Sequence, residues 1–162
     1  MKTSQLLEKI KKDLEKYQEI MKKEPADFKL NKLPGEVKDI HKTMSQYNQD
    51  NFPEIMNSPS EDYNGEVDVE DLKDMEARID YYFQLHGSGD DEFKEFIKGI
   101  SIYLTFIARK PLHPLGITFS NKTTVYETDG VFYCTGKKMF IRDELSLCKY
   151  CICQSSPADT PP

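Results

Sequence analysis

The periodicity of this 162-residue chain changes at Pro111, and that change restricts its fold more than any other feature. Before it, apolar residues recur at intervals of three and four, the repeat of a helix with one buried stripe. After it, Pro111 and Pro114 exclude helix, and short β-favouring runs take over. A chain of this length holds one core, with little to spare. The expected class is therefore α+β and mainly helical. Residues 1–110 form a helical part, about four helices around a central one. A small cysteine-rich, metal-binding hairpin subdomain at 111–153 packs on it. Residues 154–162, rich in Ser and Pro, read as a disordered tail.

Within the helical part, Leu7, Ile10, Leu14, Tyr17 and Met21 mark a surface helix over 3–22 that Pro25 ends. Val37, Ile40, His41, Met44 and Tyr47 mark a second helix after Pro34-Gly35. It fades near residues 48–51, and the breaker-rich stretch 52–66 reads as a connection. Asp68 or Asp71 can cap a third helix, which carries Leu72, Met75, Ile79, Tyr82 or Phe83 and Leu85 and is stopped by Gly87 and Gly89. A fourth, running from Asp90 to Arg109, opens on Asp90-Asp91-Glu92 and closes on Arg109-Lys110, each charge suited to its end of the helix dipole. Its interior, from Phe93 to Ile107, is apolar on most sides, which makes it the central core helix. Downstream, Asp129-Gly130 separates the runs 123–126 and 131–134, a hairpin signal.

Charge and hydropathy exclude several functions. Acidic residues outnumber basic ones 28 to 22, and the net charge of −6 repels a phosphate backbone, so nucleic acid is not an expected partner. No stretch approaches the ~18 apolar residues of a membrane span, so no membrane association is expected. Met1 to Gln5 do not open a secretory signal, and the expected location is cytoplasmic.

In a reducing compartment clustered cysteines are more often metal ligands than disulfides. The chain has four, Cys134, Cys148, Cys151 and Cys153. A thiolate is a soft donor that prefers zinc, cuprous copper or iron–sulfur iron, and Cys148-x-x-Cys151 sets two sulfurs within reach of one ion. The amides of that tight turn can donate to the first sulfur. Cys134, at the end of the second hairpin strand, supplies a third donor. The fourth is His113, held extended before Pro114, or Cys153. The proline-flanked segment favours His113, which would staple the strand entry to the C-terminus. Zinc is the expected ion and an iron–sulfur cluster the alternative. Incidental buried thiols and an oxidisable Cys148/Cys151 pair compete with the metal reading.

Other polar residues have simpler explanations. His41 lies mid-helix, and His86 closes a helix where an imidazolium meets the negative dipole end. Gly136-Lys137-Lys138 lacks the upstream glycine and the Ser/Thr of a phosphate loop. Lys137, Lys138, Arg142 and Lys149 make the cysteine-rich end locally basic, a feature that can attract RNA or an acidic partner protein but more often offsets thiolate charge. No carboxylate pair stands in an apolar setting, so no general acid or base is assigned and no reaction follows.

Tyr103 to Ile107, Leu112-His113-Pro114-Leu115-Gly116, Phe132-Tyr133-Cys134 and Leu147-Cys148-Lys149-Tyr150-Cys151 carry a resemblance, clearest from about Phe96 to Cys153. The chain resembles the uncharacterised methanogen proteins grouped as domain of unknown function twenty-one-fifteen. The family pattern is a His-Pro-x-Gly segment, a Tyr-Tyr-Cys-like strand end and a final Cys-x-x-Cys, matched by His113, Gly116, Cys134, Cys148 and Cys151. Thr135 departs from it, since members usually have Pro there. The resemblance implies an archaeal, anaerobic, cytoplasmic setting, leaves Cys153 outside the pattern, which favours His113, and implies no activity. The function expected is a closed structural zinc site in a protein that acts by binding a protein partner. The alternatives are a hydrolase with an open zinc position and an iron–sulfur or thiol redox protein.

Overall fold

Helix α1 (Thr3–Leu14) turns Leu6, Leu7, Ile10 and Leu14 inward, and the same stripe continues through a 3-10 turn at 15–17 to buried Tyr17 and into α2 (Gln18–Lys22). The computed structural model describes residues 1–22, 35–87 and 91–157. Pro25, Pro34, Gly89 and Asp90, expected at helix ends, lie outside those residues. The N-terminus is tied down rather than frayed. Val67 donates its N–H to the Met1 carbonyl at 2.8 Å, and Thr3 donates its N–H and hydroxyl to the Gly65 carbonyl, both at 3.0 Å.

Helix α3 runs Gly35–Asn57, further than the sequence predicts, and takes Pro53 into its interior. A proline there costs roughly 3 kcal/mol through a missing hydrogen bond and a ring clash. Burying Phe52 and Ile55, each worth roughly 1.5–3 kcal/mol, outweighs it. The expected connection therefore shrinks to the residues after Asn57. Helix α4 (Val69–His86) is capped by Asp68, whose carboxylate accepts from the N–H groups of Glu70 and Asp71, and it buries Leu72, Met75 and Ile79. Of the alternatives Tyr82 and Phe83 it is Phe83 that packs against the core, while Leu85, expected on the inner face, is exposed.

Helix α5 (Asp91–Ile102) is central as expected, packing against α1, α3 and α4. It does not continue unchanged to Arg109. From Tyr103 to Ala108 the chain widens into a π-helical turn that buries Tyr103, Leu104, Thr105, Phe106 and Ile107, which suits a segment apolar on most sides. Arg109 closes it in the left-handed conformation (φ 52°), and the Lys110 N–H bonds to the Leu104 carbonyl at 2.9 Å. Glu54 of α3 anchors this turn by accepting from the Tyr103 hydroxyl at 3.0 Å and the Lys110 ammonium at 2.5 Å.

The hairpin forms as read. Strands β1 (Val125–Thr128) and β2 (Val131–Cys134) pair antiparallel with Thr128 opposite Val131 and Val125 opposite Cys134. Asp129 (φ 52°) and Gly130 (φ 78°) make a two-residue turn with both residues left-handed, which matches strand twist. A four-residue helix α6 (Lys137–Phe140) follows. Strand β3 (Gln154–Ser155) then joins β2 in parallel, so the sheet order is β1-β2-β3, and residues expected in the tail belong to the sheet.

The architecture is thus helices around α5 with a small three-stranded sheet. Its main core gathers α1, α3, α4, α5 and the π-turn. A second core under the sheet contains Ile117, Val125, Cys134 and Cys153 and leans on Ile40 and Met44 of α3. Among the described residues no helix is long and apolar enough to cross a membrane.

Candidate functional site

Strand pairing makes neighbours of two buried cysteines from distant stretches. Cys134 ends β2, Cys153 immediately precedes β3, and the parallel register sets Cys134 opposite Ser155. The Ser156 N–H closes on the Cys134 carbonyl at 3.2 Å. Cys151 packs against both the small core and the helical one. Half-buried Cys148 lies in the turn that precedes Cys151, within electrostatic reach of Cys134 and Cys151. The four cysteines, all free thiols, therefore occupy one neighbourhood where the sheet meets α3 and the π-turn.

Hydrogen bonding divides their chemistry. The Cys153 side chain bonds to the Cys151 sulfur, backbone N–H groups of Leu112 and Cys153 also point at it, and Lys137 adds positive charge. Against the effect of burial, these hold the Cys151 thiol down to about 6. Cys153 is pushed up, first as partner in that bond and then by burial. Cys148 is pushed up by burial. Lys137 also donates to the Cys151 carbonyl at 2.7 Å. Tyr47 of α3 donates its hydroxyl to the Pro111 carbonyl at 2.7 Å, and burial together with the adjacent Cys151 and Cys153 pushes it up to about 12.

Two expectations about ligand geometry change. The amides of the 147–151 turn do not serve the Cys148 sulfur, because Tyr150 and Cys151 both donate to the Leu147 carbonyl, at 2.9 and 3.1 Å. The His113 ring, kept neutral by burial, stands edge-on to Phe119 at 5.0 Å, while its neighbour Leu112 is the residue that reaches Cys151. As placed, no three His, Cys, Asp or Glu side chains among the described residues are grouped to hold an ion. The donors are of the kind a soft ion prefers, but as placed they do not form a ligand group.

Sequence reading gave the ion the task of fastening this segment to the helices, but the segment has protein contacts of its own. Arg78 of α4 bonds through Nε to Asp74 at 3.0 Å and through Nη1 to the carbonyls of Asp143, Glu144 and Ser146 at 3.2, 3.1 and 3.2 Å. The Tyr150 hydroxyl bonds to the same Asp74 carboxylate, and Lys149 approaches it at 3.4 Å. Only the Asp74/Arg78 spacing of four, one helical turn, was a local signal for this cluster. Its partners in 143–150 lie some 70 residues away.

The Tyr150 hydroxyl, then Arg78, hold the Asp74 carboxyl at about 2, below its ordinary 3.8. A carboxylate depressed on folding contributes its stability above its unfolded value and loses it as pH falls through the folded one. The 143–150 segment should therefore loosen on acidification between about pH 4 and pH 2. An Asp74→Asn variant should be looser already at neutral pH and lack that step. Tyr150 ring resonances report it, and a folded-state Asp74 midpoint at 3.8 would contradict the assignment.

His41 is exposed on α3, and His86 lies in the last turn of α4 with its ring 5.1 Å from Tyr82, as the simpler readings expected. The profile of a family described as "Uncharacterized protein conserved in archaea" (DUF2115) matches residues 2–156. The chain belongs to this family. Membership extends the resemblance, carried by His113, Gly116, Cys134, Cys148 and Cys151, over the helical part as well. A UPF0305 protein of Methanocaldococcus jannaschii is 32% identical over 160 residues, 96% of this chain and 97% of the relative. A UPF0305 protein of Methanococcus maripaludis strain C6 is 32% identical over 108 residues, 64% of this chain and 65% of its own. One from Methanothermobacter thermautotrophicus is 34% identical over 94 residues, 56% of each chain. No solved structure matches the chain.

Proposed function

We propose that Cys134, Cys148, Cys151 and Cys153 form a closed site for one thiophilic ion, zinc first and an iron–sulfur cluster second, in a protein that acts by binding a protein partner. The observation that supports this is that Cys134, Cys151 and Cys153 share the small core under the sheet, with Cys148 within electrostatic reach of Cys134 and Cys151. Soft sulfur donors in that number suit zinc or iron–sulfur iron. Cys153 takes the fourth place in preference to His113 because it is hydrogen-bonded to Cys151, whereas the imidazole rests on Phe119. Lys137 offsets part of the charge that several thiolates bring together. The hydrolase alternative has no such support. Near Tyr47, a shallow hollow along α3 holds the Asp50 carboxylate, but Gln46 occupies it with a 2.8 Å hydrogen bond.

Elemental analysis and a visible spectrum of anaerobically purified protein test the proposal. Stoichiometric metal is expected, colourless for zinc and brown for a cluster. Cys153→Ser and Cys148→Ser should each lose most of it, while His113→Ala keeps it. Equal metal content in Cys153→Ser and wild type, or loss in His113→Ala alone, would reject this ligand set.

A further inference from the structure

The loop after α6 runs back along α4. Arg78 Nη1 holds the carbonyls of Asp143, Glu144 and Ser146, Tyr150 bonds to Asp74, and Lys149 lies 4.0 Å from Asp71. Chain continuity puts α6 at the Arg78 end of this seam and the residues before α4 at the Asp71 end, roughly 14 Å away along the helix. The α6 end is basic and apolar. Between Asp129 and Asp143 there is no acidic residue, but there are Lys137, Lys138 and Arg142. Met139 is 73% exposed, the most of any large apolar side chain among the described residues, and Ile141 is exposed as well. Lys137 is bonded to the Cys151 carbonyl at 2.7 Å, whereas Lys138 and Arg142 are exposed and make no ion pair among the described residues. The Asp143 carboxylate accepts from the Leu145 N–H at 2.8 Å.

The other end is acidic. Glu61, Asp62, Glu66, Asp68, Glu70 and Asp71 are all exposed, with no basic residue among them in the chain. The cations beside them are the Met1 ammonium, Lys2, Lys73 and Lys149. Lys73 pairs with Glu70 at 3.1 Å, while Glu61, Asp62 and Glu66 make no ion pair among the described residues. Met1 and Val69 add exposed apolar surface. Exposed apolar side chains rimmed by charge mark an interaction site, and here each end of the seam offers what the other lacks. We propose that this face is a self-association surface, on which a second copy of the chain docks antiparallel with the α6 end of each copy on the acidic end of the other. A two-fold axis through the seam makes the two contacts identical and closes the assembly at a dimer. Met139 and Ile141 of one copy then have Met1 and Val69 of the other as apolar neighbours. The inference stands apart from the thiol centre, because none of these side chains is a proposed ligand.

Sedimentation equilibrium of the full chain, with a chelator present throughout, tests it; metal content is measured on separate samples. At 0.1 M salt the Debye length of ~10 Å largely screens the repulsion between two chains of net charge −6 but not adjacent charges, and at 1 M it falls to ~3 Å. A monomer–dimer equilibrium is expected at 0.1 M, its dissociation constant rising about tenfold at 1 M. Lys138→Glu/Arg142→Glu and Glu66→Lys/Glu70→Lys should each be monomeric alone, and an equal mixture of the two should form the heterodimer, which also shows that both are folded. Met139→Ser should weaken the dimer at both salt concentrations. Wild type that stays monomeric at about 1 mM, charge-reversed variants that still dimerise alone, or a mixture that does not associate would overturn the proposal. Mass rising past the dimer would overturn the two-fold arrangement. Monomeric wild type that instead binds polyglutamate or phosphatidylglycerol vesicles through Lys138 and Arg142 would give the α6 end to an acidic protein or an anionic lipid surface, and would equally overturn the second copy.

Discussion

Leu14→Ala is expected to destabilise the protein by about 2–5 kcal/mol, the range for emptying a fully buried leucine site. Leu14 is 0% exposed at the end of α1, where α5 comes closest. That approach depends on Gly99. A Cβ built there would stand 2.9 Å from Leu14 Cδ2 and 3.1 Å from its Cγ, closer than carbon atoms normally pack. Gly99→Ala alone therefore sets a clash, of order 1–3 kcal/mol, against a gain in helix propensity of ~1 kcal/mol. In the Leu14→Ala background the clash disappears, because the new methyl group enters the vacated space. The two substitutions should consequently couple, the double variant being more stable than the sum of the singles by more than the ~0.5 kcal/mol scatter of independent sites. Urea midpoints at constant slope measure this. Additive effects would show that the helices shift apart instead of packing at these two residues.

Arg78→Ala is expected to release the 143–150 segment at a cost of about 2 kcal/mol, within the range for hydrogen bonds to a charged group. One guanidinium spans the Asp74 carboxylate and three carbonyls of that segment, and it lies 5.9 Å from the Tyr150 ring. Its side chain is only 21% exposed, so water replaces these partners incompletely. The loss should be local. Amide exchange should accelerate from Ser146 through Cys151 while α1 and α5 stay protected. Arg78→Lys should recover less than half, since a single ammonium cannot hold carboxylate and carbonyls in the planar fork of a guanidinium. Uniform acceleration throughout the chain would mean that Arg78 supports the helical core and not this loop. Because the fastening is made by protein groups, a chelator should leave the segment docked.

Elements governed by neighbours in sequence were legible before the fold was known. The three-four spacing from Leu7 to Tyr17 describes the inner face of α1 and of the 3-10 turn that follows it, Asp68 caps α4, and Asp129-Gly130 turns the hairpin in the register observed. Each follows from local rules of backbone conformation and periodic burial. The π-turn was not legible, since its sequence reads as an ordinary apolar helix. Pro53 pointed the wrong way: its local penalty was plain, but the burial of Phe52 and Ile55 that overrides it depends on the other helices.

The thiol centre divides along the same line. Sequence alone determined that soft donors sit at the C-terminal end, in a chain whose helical part and hairpin are written into its periodicity and turn residues. Only the tertiary structure decided that Cys153 is buried with Cys134 under the sheet while Cys148 stays half-buried in its turn, that His113 rests on Phe119, and that Arg78 and Asp74 fasten the segment. The physical reason is range. Dihedral preferences and hydrophobic spacing act over a few residues, whereas these contacts exist only once β3 has paired with β2 and α4 has been packed beside the loop.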